Sequence, residues 1–209
     1  MRAVTSAATP RFSRLEADER RAQILAAARR LFGRSGLAGT AMGEIAEEAG
    51  VARGLVNHYF GTKRELYLAV VEDLAAELPA MVRSDLRDVP ADAMVDANLA
   101  SWLDSIERNR ELWMALLGVE TIGTDPEVEA IMAAARDEVI ERMAANQAGG
   151  GPVSDELRLV LRIFLGAVEA GAREWALRER ATREQVHVIL RETVLQMVAT
   201  VLPQVPPAR

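Results

Sequence analysis

The 209-residue chain has no cysteine. That excludes disulfides, thiolate metal sites and a cysteine nucleophile, and it is compatible with a reducing cytoplasm. Histidine occurs twice, as His58 and His187, too far apart in sequence to form a His-Glu-x-x-His pair. The run GGGP at 149–152 lacks the lysine and the following helix signature of a phosphate loop. Glu44, Glu47 and Glu48 crowd one short segment without metal-ligand company, so they read as solvated surface. The expectation is a protein that is not an enzyme and carries no metal and no cofactor.

Long apolar runs are also missing. No stretch approaches about 18 uncharged apolar residues, so no membrane span is expected. The start, MRAVTSAATPRFSR, lacks the apolar core of a secretory signal. The expected location is the cytoplasm. Aromatic residues are scarce at 4%, and Ala, Leu, Val, Glu and Arg dominate, which favours helices over sheets.

Half of the residues are hydrophobic and 27% are charged, enough for one substantial core or for a small module joined to a larger one. The net charge of −6 taken alone argues against a polyanionic partner, but it hides an asymmetry. Residues 1–70 hold 11 Lys and Arg against 7 Asp and Glu, giving +4; residues 71–209 hold 14 against 24, giving −10. A basic first third on an acidic body suggests that only the first part meets a polyanion.

Residues 1–17 read as a flexible arm, with Pro10 and several small residues. From Asp18 to Arg34, Ile24, Leu25, Ala28, Leu31 and Phe32 recur at helical spacing until Gly36. Thr40 is placed to cap a short helix ending at Ala49. A third helix spans Ala52–Tyr59, and Thr62 with Glu65 has the spacing of a capping box that opens a fourth. Beyond Leu78-Pro79 the helical segments are 91–108, 110–121, 126–147, 155–179 and 183–201. Asp125-Pro126 and Thr182 with Gln185 mark two of their starts, and AGGGPVS at 148–154 is a flexible connection.

Ala46 is small where two crossing helices would touch, Gly50 four residues later suits a left-handed turn, and Val56 six further on faces back into the pair. That is the spacing of a helix-turn-helix. In RGLVNHYF the positions opposite Val56 then point outward: Arg53, Gly54, Asn57 and His58. Arg53 suits phosphate or guanine, Asn57 suits a bidentate contact to adenine, and Gly54 allows close approach to a groove wall. Tyr59 and Lys63, the sole lysine of the chain, are placed to hold the phosphate backbone.

The run from Ile24 to Val71, with its HYF-x-x-K-x-x-L exit, resembles the N-terminal domain of the tetracycline-repressor (TetR) family of bacterial transcription regulators, over residues 18–78. The resemblance implies that Thr40, Arg53, Tyr59 and Lys63 hold phosphates while Asn57 and His58 approach bases. Many members carry Ser at Ala52, Thr at Leu55, Tyr at Asn57 and a polar residue at Gly43, so these departures suggest a base preference of this chain's own.

Residues 79–209 form the acidic body. On 155–179, Leu157, Val160, Leu161, Phe164, Leu165 and Val168 make one apolar stripe and Leu159, Ile163, Ala167 and Ala170 a second. On 183–201, Val186, Ile189, Leu190, Thr193 and Met197 oppose Val188, Leu195, Val198 and Val201. A helix apolar on both sides must be covered on both sides, and a second subunit is the expected cover for one. The interface residues expected are Phe164, Val168, Val186, Leu190 and Met197; the resemblance likewise implies a four-helix bundle between two copies. It also implies an apolar ligand cavity in this body, with Trp102, Trp113 and Met114 as apolar candidates and Asn98, Arg110, Glu169 and Arg173 as polar ones. Glu169 and Arg173 are four apart, so an intrahelical ion pair explains them equally well.

The expected fold is all-α: a helix-turn-helix DNA-binding domain followed by a helical ligand-binding and dimerisation domain. The expected function is a ligand-responsive repressor binding a palindromic double-stranded operator as a homodimer, with a small, mostly apolar effector and no membrane partner. The competing reading is a helical ligand-binding or scaffold protein without DNA activity.

Overall fold

The structure, a computed structural model, describes residues 11–83, 89–111, 113, 125–149 and 151–207, the side chains of 11–16 excepted. The described elements are all helical, and no strand occurs among these residues. The chain divides into two compact units, Met1–Val70 and Val71–Arg209.

The first unit holds α1 (Arg11–Gly39), α2 (Met42–Glu48), α3 (Arg53–Phe60) and the start of α4 (Lys63–Met81). Residues 11–17 are helical, which corrects part of the expected arm; residues 1–10 lie outside the described residues. No proline or glycine interrupts the chain between Pro10 and Gly33, and adding residues to a formed helix costs little. Gly36, at φ 65° and ψ 177°, breaks α1 where the sequence places its end.

Ile24, Ala28 and Phe32 of α1, Ile45 of α2, Val56 of α3 and Leu66 of α4 are sealed from solvent, and Phe32 meets Tyr67 edge to face at 5.3 Å. Thr40 does not cap α2. Its hydroxyl points back to the carbonyls of Leu31 (3.2 Å) and Gly36 (2.8 Å), closing the end of α1. Ala41 stands at the N-cap position, where Glu44 reaches back to accept from its backbone N–H at 2.8 Å.

The turn after α2 has the hydrogen bonds of a Schellman motif: Val51 N–H donates to Ala46 O (2.9 Å) and Gly50 N–H to Glu47 O (3.0 Å). Gly50 takes φ +66°, a left-handed conformation that side chains disfavour. At the start of α4, Thr62 and Glu65 form the expected reciprocal box, at 2.7 and 3.2 Å. The Thr62 backbone N–H, and then its hydroxyl, hold the Glu65 carboxyl below its ordinary range.

The second unit contains α5 (Ala91–Arg108), α6 (Pro126–Ala148), α7 (Asp155–Ala172) and α8 (Arg183–Gln196). Wider, π-type turns extend α7 through Arg173–Leu177 and α8 through Met197–Val201. Most of the expected 110–121 helix lies outside the described residues. Asp125 accepts from the backbone N–H groups of Glu127 and Val128 ahead of Pro126. Thr182 and Gln185 close their box at 3.1 and 2.8 Å.

Leu99 and Leu103 of α5 pack with Phe164 and Val168 of α7 and Val186, Leu190 and Val194 of α8 in one buried cluster. This corrects the expected interface. Phe164, Val168, Val186 and Leu190 are each at most 5% exposed because residues of α5, α7 and α8 close on one another, and Met197 packs against the same cluster. Gly171 lets α8 come close: a Cβ there would stand 3.0 Å from Val186 Cγ1.

The opposite stripe is the open one. Leu159 (50%), Ile163 (59%), Val188 (51%) and Ile189 (63%) face outward. Ile189 sits on this side rather than with Leu190. Arg183–Gln204 is therefore apolar on two faces; an 18-residue window within its 22 residues has a mean hydropathy of 1.3 and is 17% buried, which by length and composition alone would suffice to cross a membrane. Arg191 and Glu192 interrupt its middle, and Arg191 pairs with Asp96 of α5 at 3.0 Å.

Candidate functional site

In α3, Val56 and Phe60 turn inward while Arg53, Gly54, Asn57 and His58 are exposed. The side chains of Arg53 and Asn57 have no hydrogen-bond partner among the described residues. Tyr59 is half-buried and lies against His58, with ring centroids 5.6 Å apart. No acidic residue occurs in α3, and of the three glutamates on α2, Glu44 is spent on Ala41 and Glu48 on Arg30 at 2.9 Å. The outward face of α3 is thus a short row of donors and acceptors that the fold itself leaves unused.

Two of the expected phosphate contacts meet each other. Lys63 Nζ donates to the Thr40 carbonyl at 3.0 Å, tying the start of α4 to the turn before α2. Thr40 is 2% exposed and its hydroxyl proton is committed inside, so its side chain serves to position the turn. Lys63 retains two further N–H donors.

The second unit holds a partly open cavity of about 140 Å³ with walls that are almost wholly apolar. Of the expected ligand residues, Asn98, Trp102, Trp113 and Glu169 line it. Arg110 and Arg173 do not; Arg110 instead pairs with Glu179 at 2.9 Å. Met114 lies outside the described residues. Asn98 is engaged too, its Oδ1 accepting from the Arg83 backbone N–H at 3.0 Å.

Glu169 does not pair with Arg173 as its spacing allowed. It binds Arg136 of α6 at 2.7 Å, and Arg136 also binds Glu129 at 2.9 Å. Burial opposes the charge on Arg136, but the two carboxylates more than offset it and hold its pKa above the ordinary value. Among the lining residues that sequence reasoning missed, Arg136 is the charged one; Asn146 and Gln147 are two further polar ones. A signal existed for Arg136: it interrupts the apolar face Met132, Val139 and Met143, where a charge needs a buried partner.

Residues 24–70 match the family described as bacterial regulatory proteins, tetR family, and residues 90–198 match the tetracyclin repressor-like C-terminal domain. The chain belongs to the TetR family. Among curated TetR relatives, it is 34% identical over 121 residues to the HTH-type transcriptional activator FasR of Mycolicibacterium smegmatis, covering 57% of this chain and 55% of that protein. It is 29% identical over 157 residues to the transcriptional repressor AcnR of Corynebacterium efficiens, covering 72% and 78%. The chain thus spans about half the length of FasR, and 37% of a BetI regulator from Vibrio campbellii that also matches.

A solved TetR-family regulator from Streptomyces coelicolor superposes with TM-score 0.76 at 25% identity, covering 90% of this chain and 83% of that one. The regulator FadR from Bacillus subtilis, described in complex with stearoyl-CoA, shares the fold at TM-score 0.67 and 15% identity, covering 85% and 97%. The first unit of this TetR-family chain carries the family's helix-turn-helix DNA-binding domain.

Proposed function

We propose that the protein is a ligand-responsive repressor that binds a palindromic operator as a homodimer in the cytoplasm. The observation that carries the reading is the outward face of α3, where Arg53 and Asn57 have no side-chain hydrogen-bond partner among the described residues, beside the side-chain-free Gly54. Arg53 and Asn57 read base edges; His58 assists at the same face; Tyr59 and Lys63 hold phosphates, with Thr40 positioning Lys63.

The open apolar stripe of Leu159, Ile163, Val188 and Ile189 supports a second copy as its cover, because large contiguous apolar patches mark association surfaces. Two recognition helices double the contacts of one and match a two-fold operator. The cavity is the effector site, a reading that the stearoyl-CoA complex of FadR supports by analogy of fold. An effector acts by its differential affinity for the free and DNA-bound forms, with about 1–3 kcal/mol of coupling, and the operator must weaken effector binding by the same factor.

Selection of bound fragments from random DNA tests this reading. The expected outcome is enrichment of paired, inverted half-sites at a fixed spacing. Single half-sites would defeat the dimer, and no enrichment would defeat operator recognition. In a reporter strain, expression that rises when the protein is removed supports repression; a fall makes it an activator.

A further inference from the structure

The cavity of the second unit is long as well as apolar. On α6 its wall is Met132, Arg136, Val139, Met143, Asn146 and Gln147, one stripe that advances about 22 Å along the helix. On α5 the lining runs from Met94 to Ile106, about 18 Å, and on α7 from Leu161 to Ala172, about 16 Å. Three helices thus present lengthwise stripes to one space. A volume of about 140 Å³ drawn out over such a length leaves a narrow channel, of which a compact ring system would fill only a part.

The polar lining residues fall at separate places along it. Asn98 Oδ1 accepts from the Arg83 backbone N–H at 3.0 Å and Asn146 Nδ2 donates to the Arg83 carbonyl at 2.9 Å, so these two amides meet at one end. That end is open: Asn98 and Asn146 are partly exposed, and Gln147 beside them is exposed. Arg136 precedes Asn146 by ten residues, about 15 Å along α6, and there it meets Glu169 of α7 at 2.7 Å. Between the two places the lining of α6 and α7 is apolar: Val139, Met143, Phe164, Leu165 and Val168. The ion pair is partly exposed, but beyond it the wall is closed. Met132 is 3% exposed, and Ala172, three residues after Glu169, is fully buried.

An extended hydrocarbon chain gains about 1.3 Å per carbon, so the stretch from Asn146 to Arg136 holds about twelve carbons. The flexible side chains of Met94, Met132 and Met143 can close around it. Resting on the reading that this cavity is the effector site, we propose that its ligand is a single unbranched aliphatic chain of about twelve carbons with a small hydrogen-bonding head. The tail enters first and ends near Met132 and Ala172; the head stays with the Asn98, Asn146 and Gln147 amides at the open end.

The probes are the 1-alkanols from 1-hexanol to 1-hexadecanol, whose hydroxyl both donates and accepts, and 1-adamantanemethanol, a cage with the carbon count of 1-undecanol. Each is titrated into the full chain and followed by tryptophan fluorescence, since Trp102 and Trp113 line the cavity. Affinity is expected to rise about four-fold per added methylene and to level off near 1-dodecanol. Ala172→Leu should move that break to a shorter chain and Met132→Ala to a longer one, each leaving 1-octanol unchanged. Melting curves accompany both, and either variant that keeps its fold decides the point. Gln147→Leu, at an exposed position, should weaken every alkanol alike, by about five-fold. An unbroken rise through 1-hexadecanol, or a cage that binds as tightly as 1-undecanol, would overturn the chain. A break that stays in place in the folded variants would overturn the tail-first orientation. If the alkanols bind as expected but leave operator affinity unchanged, the occupant stands and the effector reading falls. If no alkanol binds, the proposal falls; a cage that then binds and weakens the operator keeps the effector reading.

Discussion

The two units leave opposite things unfinished. The first buries its apolar residues against one another and leaves a polar row on α3 whose Arg53 and Asn57 have no partner among the described residues. The second pairs its charges densely, as in Arg136 with Glu129 and Glu169 or Arg191 with Asp96, and leaves apolar residues of α7 and α8 outside. Unused donors and acceptors on a basic unit are suited to a polyanion. Unused hydrocarbon on an acidic one is suited to another protein surface. Composition alone, averaged to a net charge of −6, hides both.

The sharpest way to break this contrast uses adjacent residues on α8. Leu190 is 2% exposed and Ile189 63% exposed. Leu190→Ala should cost about 2–5 kcal/mol in denaturant unfolding, as for other buried leucines. Ile189→Glu, combined with Ile163→Glu, should leave the fold of a single chain intact and instead convert dimer to monomer by sedimentation. Monomer conversion by a Leu190 variant that unfolds normally would return the interface to the buried stripe.

Next in size is the polar row. Asn57→Ala should weaken the selected operator by about 1–3 kcal/mol and random DNA much less. Equal losses on the two would remove Asn57 from base reading. Lys63→Gln should weaken all DNA alike and reduce the slope of log affinity against log salt by about one unit. Because Lys63 also binds the Thr40 carbonyl, a melting curve must accompany the measurement. A shifted melting point with an unchanged salt slope would make that residue a strut and nothing more.

Most of the helical scaffold was legible in sequence because its punctuation is local. Asp125-Pro126, Thr182 with Gln185, Thr62 with Glu65, and Gly50 each act within a turn of where they stand. What was not legible depended on contacts distant in sequence. Which stripe of α7 and α8 is covered follows from α6 packing on α7 and α5 on α8, and no spacing within 155–201 reveals that. Glu169 had a plausible partner four residues away and took Arg136, 33 residues back, instead. Thr40 carries a capping residue type but turned to the preceding helix, because the broken end of α1 left carbonyls within its reach. The outward residues of α3 were readable because helical direction is fixed once Val56 is placed inside.

The smallest effect separates the glycines within the first unit. Gly43 and Gly54 both sit in helices, and a Cβ at either would meet nothing within 4 Å. Neither has a positive φ that demands glycine. Within the free protein, alanine at either position should therefore raise stability by up to about 1 kcal/mol, since glycine is the poorer helix former. The two should part on DNA. Gly54 lies in the row with Arg53 and Asn57, so a methyl group there stands between the helix backbone and whatever the row contacts. Gly54→Ala should melt higher yet bind the operator less tightly, while Gly43→Ala should melt higher and bind unchanged. Measuring both variants by thermal unfolding and operator titration decides the matter. If Gly54→Ala gains stability and keeps full affinity, close approach of the α3 backbone is not part of recognition, and the glycine has no role that the structure accounts for.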